Sequence, residues 1–251
     1  PPLKKGIANV KRYLLAHDLG TSGNKTVLFT VDGQMAAAKT FPYDTHYFND
    51  NWAEQNPDDW WKAVCRSSQE LLEGVDAGEI VAVALSGQMM GCLCVDRDGR
   101  PLRPSIIYCD QRAAEQTERI LRRIDQRDFY NTTGHRASPS YSIEKLAWLK
   151  DHEPDVYADT HRMLNAKDYI NFKLTDTMAT DHSDASGTNA FDLNTYQWSA
   201  PIIDAAEVDG EKLPELKKST DVLGTVTRDV RRDRPGVAVR ITVEVPTEQI
   251  L

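Results

Sequence analysis

The 251-residue chain has no apolar run long enough to cross a membrane. Its longest, Ile80–Leu85 and Met89–Val95, fall well short of the roughly 18–20 residues a span needs. Tyr13–Ala16 is the only apolar stretch near the N-terminus, too short for a secretory core of about 7–15 residues. Positive charge is not in excess either. Thirty Lys and Arg face 38 Asp and Glu, a net charge of −8, which argues against a nucleic-acid partner held on a cationic surface. Cysteine is scarce. Cys65, Cys92, Cys94 and Cys109 match no zinc spacing, and they read as reduced, mostly buried thiols of a cytoplasmic protein. The six histidines show no paired spacing. Glycine (14) and proline (12) are ordinary, so collagen-like and low-complexity readings fall away. What remains is a globular balance, 40% apolar and 27% charged, sufficient for one large domain or two small ones.

The pattern along the chain predicts an α/β domain. Arg12–His17, Thr26–Val31 and Met35–Tyr43 read as strands, with Asp32-Gly33 as the hairpin turn between the last two. Asn56 is a good N-cap, Pro57 suits the first helical position, and Asp58 and Asp59 favour the positive helix end. That helix should end near Gly74. Ile80–Leu85 is a continuous apolar run, as in a strand buried on both faces. Shorter strands are expected at Cys92–Val95 and Ile106–Tyr108. Further helices are expected at Ala113–Ile124, Tyr141–His152 and Lys167–Leu174. Thr180–Thr188 reads as a loop. Val237–Val245 alternates like a strand. An antiparallel meander followed by helix–strand alternation implies a mixed sheet flanked by helices.

One segment carries a recognisable chemistry. Asp18-Leu-Gly-Thr-Ser-Gly-Asn-Lys25 joins two strands. Its glycines, Gly20 and Gly23, allow a tight bend and close backbone approach. Thr21 and Ser22 add hydroxyl donors, a combination suited to phosphate oxygens, and Lys25 adds charge. Asp18, at the strand end, could face a hydrated Mg²⁺, which prefers carboxylate plus water. The spacing is not that of a P-loop. A glycine-containing hairpin with no ligand stays open as the alternative.

This opening resembles the first phosphate-binding hairpin of the sugar-kinase, actin and heat-shock-chaperone ATPase superfamily. Four further segments, in order, make the chain similar to the FGGY carbohydrate kinases and their xylulokinase-like branch. They are Trp52-Ala-Glu-Gln-Asn-Pro57 with Trp60-Trp61, Ser86-Gly-Gln-Met-Met-Gly91, Ser140 through His152, and Asn165-Ala-Lys-Asp-Tyr169 with Thr180 through Thr188. The resemblance implies a ribonuclease-H-like domain of the actin-like ATPase superfamily. It also implies an ATP- and Mg²⁺-dependent kinase for a pentulose or related polyol.

The resemblance places Asp18, Gly20, Thr21, Ser22, Gly23 and Lys25 on the ATP phosphates, with Asp18 toward the metal. It places Gln88, Met89, Met90, Tyr108, Asp110, Arg112 and Trp52 on the sugar. Met90 stands where xylulokinases have histidine, and a thioether cannot donate a hydrogen bond to a hydroxyl; core filling is the alternative for Met90. Asp110 and Arg112 could equally form a solvated salt bridge, and Trp52 could anchor a loop. Asp181, Asp184 and Ser186 read as mainly structural, and Trp148 as packing.

Residues 1–11 read as a leader or appended segment, 12–227 as the family's N-terminal domain, and 228–251 as a divergent stretch. The family's Gly-Gly-Gly-Asp segment, whose aspartate takes the hydroxyl proton, has no counterpart after Thr227. No catalytic residue is therefore assigned, a second kinase domain is not expected within these residues, and the chain alone is expected to be inactive. The expected partners are a small sugar or polyol and ATP, with a homodimer left open. A non-catalytic sugar-binding module, or a truncated inactive kinase fragment, is the competing reading.

Overall fold

The computed structural model describes residues 12–226 and the two-residue strand at 240–241. The readings of 1–11 as a leader and of 228–251 as a divergent stretch fall outside the described residues, that strand apart. In chain order the elements are β1 Tyr13–Leu19, β2 Gly23–Thr30, β3 Met35–Pro42, β4 His46–Phe48, β5 Trp52–Gln55, α1 Pro57–Leu71, β6 Ile80–Gly87, β7 Leu93–Val95 and β8 Ser105–Ile106. There follow α2 Ala114–Arg123, α3 Gln126–Thr133, α4 Ser142–His152, α5 Pro154–Asp159, β9 Arg162–Leu164, α6 Ala166–Thr175, β10 Ala179–Asp181 and α7 His182–Ser186. The remainder are β11 Phe191–Asp192, β12 Gln197–Trp198, α8 Ala200–Ala206, β13 Glu215–Lys217, β14 Gly224–Thr225 and β15 Arg240–Ile241.

The main sheet has the order β14-β15-β6-β1-β2-β3. β1 runs antiparallel to β2 and parallel to β6, so the sheet is mixed. The alternation of β1 decides which face is covered. Tyr13, Leu15, His17 and Leu19 are buried, while Leu14 and Asp18 are exposed. The buried face packs on α1 and α6 in one core that includes Leu15, Leu19, Val64, Leu85 and Ile170. α1 begins as its sequence predicts, with the Asn56 side chain accepting from the Asp58 N–H at 3.0 Å. A second core lies among α2, α4 and α8, around Ile106, Ile120, Phe129, Ile143, Leu146 and Ile202. Among the described residues, no helix is long and apolar enough to cross a membrane.

The reading of Thr180–Thr188 as a loop is corrected. Ala179–Asp181 is a strand paired with β13, and His182–Ser186 is a helical turn. Asp181 supplies the turn with its N-cap, accepting from the Ser183 and Asp184 amides at 2.8 and 3.1 Å. That is the local pull that a polar composition hides. The β4–β5 hairpin, α3 and α8 are elements the periodicity did not reveal.

Candidate functional site

β1 and β6 are parallel neighbours, and their C-terminal ends carry the first candidate residues. Clefts outside the carboxyl ends of parallel strands are where α/β sheets hold ligands. Asp18 lies opposite Ser86 on β6 and Lys25 on β2, and its Oδ1 accepts from Ser86 Oγ at 2.9 Å. Asp18, Ser22 and Lys25 are exposed; Gly20, Thr21 and Gly23 are half-buried. The three carbonyls of the turn point inward. Gly20 O accepts from the Tyr43 hydroxyl, Thr21 O from Gln55 Nε2 at 2.6 Å, and Ser22 O from the Tyr43 amide at 3.3 Å. Carbonyl oxygens that would repel an anion are thus turned away from the solvent side. Gly23 is glycine for a packing reason, since a Cβ there would sit 2.6 Å from Phe41 O on β3. Burial, and secondarily the Asp18 charge, hold the Tyr43 phenol protonated.

The second group follows β6. The Gln88 amide donates to Leu19 O at 2.8 Å, continuing the strand pairing. Its side-chain Nε2 donates to Gln55 Oε1 at 2.6 Å, whereas Gln88 Oε1 is buried with no hydrogen-bond partner. Met89 packs on Gly187, where a Cβ would lie 3.0 Å from the methionine methyl. This joins the 87–91 loop to the α7 turn. Met90 adopts a left-handed backbone, φ 63°, a conformation costly for a side-chain-bearing residue. Its carbonyl is gripped at 2.7 Å by the ammonium of Lys145, which also donates to Ser140 O. Lys145 is fully buried, and that burial lowers its pKa to about 8. Gly91 N donates to Asn165 Oδ1 at 3.0 Å. Gln111 Nε2 donates to Ser140 Oγ at 2.7 Å. The loops at 87–91, 108–112 and 138–141 therefore meet around Lys145 and Ser140.

Tyr108 and Asp110 part company within this wall. Tyr108 is 37% exposed, whereas Asp110 is fully buried. The Asp110 carboxylate accepts from Ala53 N at 2.6 Å and from the Arg112 amide and guanidinium at 2.7–3.0 Å. Arg112 also pairs with Glu54 at 2.8 Å and lies 3.8 Å from the Trp52 ring centroid. The Trp52 ring meets Trp148 edge-on at 5.1 Å. Asp110, Arg112 and Trp52 thus form an internal stack with no solvent face on either ion. The expected alternative of a solvated salt bridge is replaced by a buried one.

Behind the same loop, Lys167 bonds the Asp181 carboxylate and lies 3.3 Å from Asp184. Burial alone would lower the Lys167 pKa, but Asp184, Asp168 and Asp181 together push it up. Burial raises Asp184. Asp181 and Asp184 act inside the fold, as the sequence suggested.

Gln55 and Tyr43 are the residues that sequence reasoning missed. Gln55 sits in a quoted motif without an assigned role, and nothing in the pattern shows that four partners converge on it. For the metal, Asp18 is exposed with one oxygen engaged by Ser86, and among the described residues no group of three or more His, Cys, Asp or Glu could hold an ion. A single carboxylate of this kind fits Mg²⁺ that keeps most of its waters; it does not fit a protein-caged cation. Two surface depressions, of about 410 and 570 Å³, are lined by other residues, including His182 and Trp198 in one and Tyr130 in the other.

Comparison with known proteins identifies the family. The model of the FGGY family of carbohydrate kinases, N-terminal domain, matches residues 13–244. The xylulose kinase of Escherichia coli (strain K12) is 31% identical over 215 residues, covering 86% of this chain and 44% of the relative. That of Lactococcus lactis is 33% identical over 224 residues, covering 87% and 44%. Among solved structures, a xyloylose kinase from Brucella ovis superposes with a TM-score of 0.85 at 27% identity, over 93% of this chain and 48% of that one. A gluconate kinase from Lactobacillus acidophilus gives 0.85 at 26%, over 94% and 48%. The chain spans about half the length of these relatives.

Proposed function

Because the chain belongs to the FGGY family of carbohydrate kinases and matches its N-terminal domain, we propose that it is the sugar-binding and partial phosphate-binding domain of an ATP-dependent kinase for a pentulose or related polyol. Residues 12–227 would form that domain, working in the cytoplasm. The observation that carries the reading is the convergence at the ends of β1 and β6. A hairpin with its carbonyls turned inward lies beside a loop that offers a buried, unpartnered acceptor at Gln88.

On this reading Gly20, Thr21, Ser22, Gly23 and Lys25 face the ATP phosphates. Asp18 would hold a hydrated Mg²⁺, which neutralises phosphate charge when bound. Phosphoryl transfer needs positioning and charge neutralisation above all. Gln88, Met89, Met90 and Tyr108 line the sugar, and Asp110, Arg112 and Trp52 support that wall from behind. Relatives named for xylulose and gluconate leave the sugar to be chosen by experiment. Titration calorimetry of the 251-residue chain with D-xylulose, D-ribulose, xylitol, ribitol and gluconate tests the proposal. Saturable binding of one of them, weakened roughly tenfold in Gln88→Ala, is expected; no binding by any of them overturns it.

Met90 sharpens the choice. A missing hydroxyl partner at a buried site costs about 1–3 kcal/mol. Met90→His should therefore tighten D-xylulose binding roughly tenfold or more. Equal affinity before and after would return Met90 to core filling.

A further inference from the structure

Gln55 is 2% exposed and makes four side-chain hydrogen bonds. Its Nε2 donates to Thr21 O at 2.6 Å and Thr45 Oγ1 at 2.7 Å; its Oε1 accepts from Trp60 Nε1 at 2.9 Å and Gln88 Nε2 at 2.6 Å. Two of these partners have no freedom. An indole N–H can only donate, and a backbone carbonyl can only accept. Trp60 therefore fixes which end of the Gln55 amide is oxygen, and Thr21 fixes which end is nitrogen. Gln88 must then present its NH₂ to Gln55, which leaves Gln88 Oε1 as its other face. That oxygen is the buried one with no partner.

We infer that Gln55 is a positioning residue which, locked by Trp60, sets Gln88 as an obligate hydrogen-bond acceptor for a substrate hydroxyl and ties that choice to the phosphate hairpin through Thr21. The inference rests on the sugar-binding reading above. Its chemical content is polarity: the substrate must offer a hydroxyl donor to Gln88, so an ether or fluorine at that position is rejected. Without the Trp60–Gln55 lock the Gln88 amide could flip and present either face.

Two measurements on the 251-residue chain test this, using whichever of D-xylulose, D-ribulose, xylitol, ribitol and gluconate binds tightest. The first needs no sugar. Side-chain amide NMR should show the Gln88 NH₂ protons protected from solvent exchange, with protection lost in Gln55→Leu. Fast exchange in the wild type overturns the relay. The second is a double-mutant cycle read by calorimetry. Gln55→Leu should weaken sugar binding at least tenfold in the wild type, but less than twofold in a Gln88→Ala background, because Gln55 acts through Gln88. Additive losses in the two backgrounds overturn the relay and leave the sugar site standing. If Gln55→Leu does not fold, Gln55→Glu carries the test. Its carboxylate still accepts from Trp60 and Gln88 but cannot tether Thr21 when ionised. Sugar affinity within threefold of wild type is expected, with faster amide exchange at Thr21–Gly23; unchanged exchange there overturns the link to the hairpin. Binding of none of the five ligands overturns the sugar-binding reading and, with it, the relay's role in choosing a substrate.

Discussion

The hairpin between β1 and β2 and the wall around Asp110 and Lys145 use charge in opposite ways. In the hairpin, the ionisable residues Asp18 and Lys25 are exposed, and order is imposed on the backbone carbonyls by Tyr43 and Gln55. In the wall, Asp110, Arg112, Lys145, Lys167 and Asp184 are buried and paired with oppositely charged side chains or with backbone. The hairpin leaves its charges in solvent. The wall uses charge as internal scaffolding, while half-buried Gln88, Met89 and Met90 and exposed Tyr108 lie nearer its surface. A charged residue in a binding motif is therefore not by that fact a contact residue. Its burial and partners decide.

The sharpest way to break this comparison is Asp110→Ala. Removing one partner of a buried ion pair leaves the other uncompensated, and typically costs about 3–5 kcal/mol. Among the described residues, Arg112 would keep Glu54 as its one carboxylate partner, beside the Phe48, Trp52 and Trp148 rings. Urea unfolding should show a loss of that size at pH 7; a loss below about 1 kcal/mol would mean that the wall tolerates an unpaired guanidinium.

Next in size is a pH test that sets one region against the other. Burial raises Glu144, next to Lys145, to about 7, above its unfolded value. Its contribution to stability is thus present at low pH and is lost as pH rises from about 4.5 through 7. His17, under the hairpin, is lowered by burial to about 4. Its contribution is present above about 6.5 and is lost as pH falls toward 4. The two partly offset each other between pH 4.5 and 6.5. Glu144→Gln should raise stability at pH 8 by about 1–3 kcal/mol and steepen the acid loss between pH 6.5 and 4. Parallel pH–stability curves for wild type and variant would contradict the assignment of the neutral-range slope to Glu144.

The smallest stability effect belongs to Asp18→Ala. An exposed residue outside the packing should change unfolding free energy by no more than about 0.5 kcal/mol. Sugar affinity should stay within twofold. A large stability change would move Asp18 from the ligand side into the scaffold.

Much of this was legible along the chain. The meander and the buried β6 were readable because strand alternation and apolar runs are local consequences of burial on one or two faces. The start of α1 was readable because Asn56, Pro57 and Asp58 act on groups within one turn of themselves. The 180–188 segment was not, because Asp181 takes part in a capping bond and in an ion pair with Lys167, and only the first is local.

The sequence by itself determined the mixed α/β sheet, the glycine hairpin after β1, and the segments that would face a phosphate and a sugar. Each depends on interactions between neighbours in sequence, or on motif residues whose identity is their signal. Tertiary structure alone decided which motif residues are sealed inside the fold and which reach solvent. Asp110 and Tyr108 are two positions apart, yet one is sealed against Arg112 and Ala53 while the other reaches solvent. It alone decided the role of Gln55, whose partners Thr21, Thr45, Trp60 and Gln88 come from four separate segments. Hydrogen-bond polarity depends on which donors and acceptors converge in space, and convergence across more than thirty residues leaves no periodic trace in the chain.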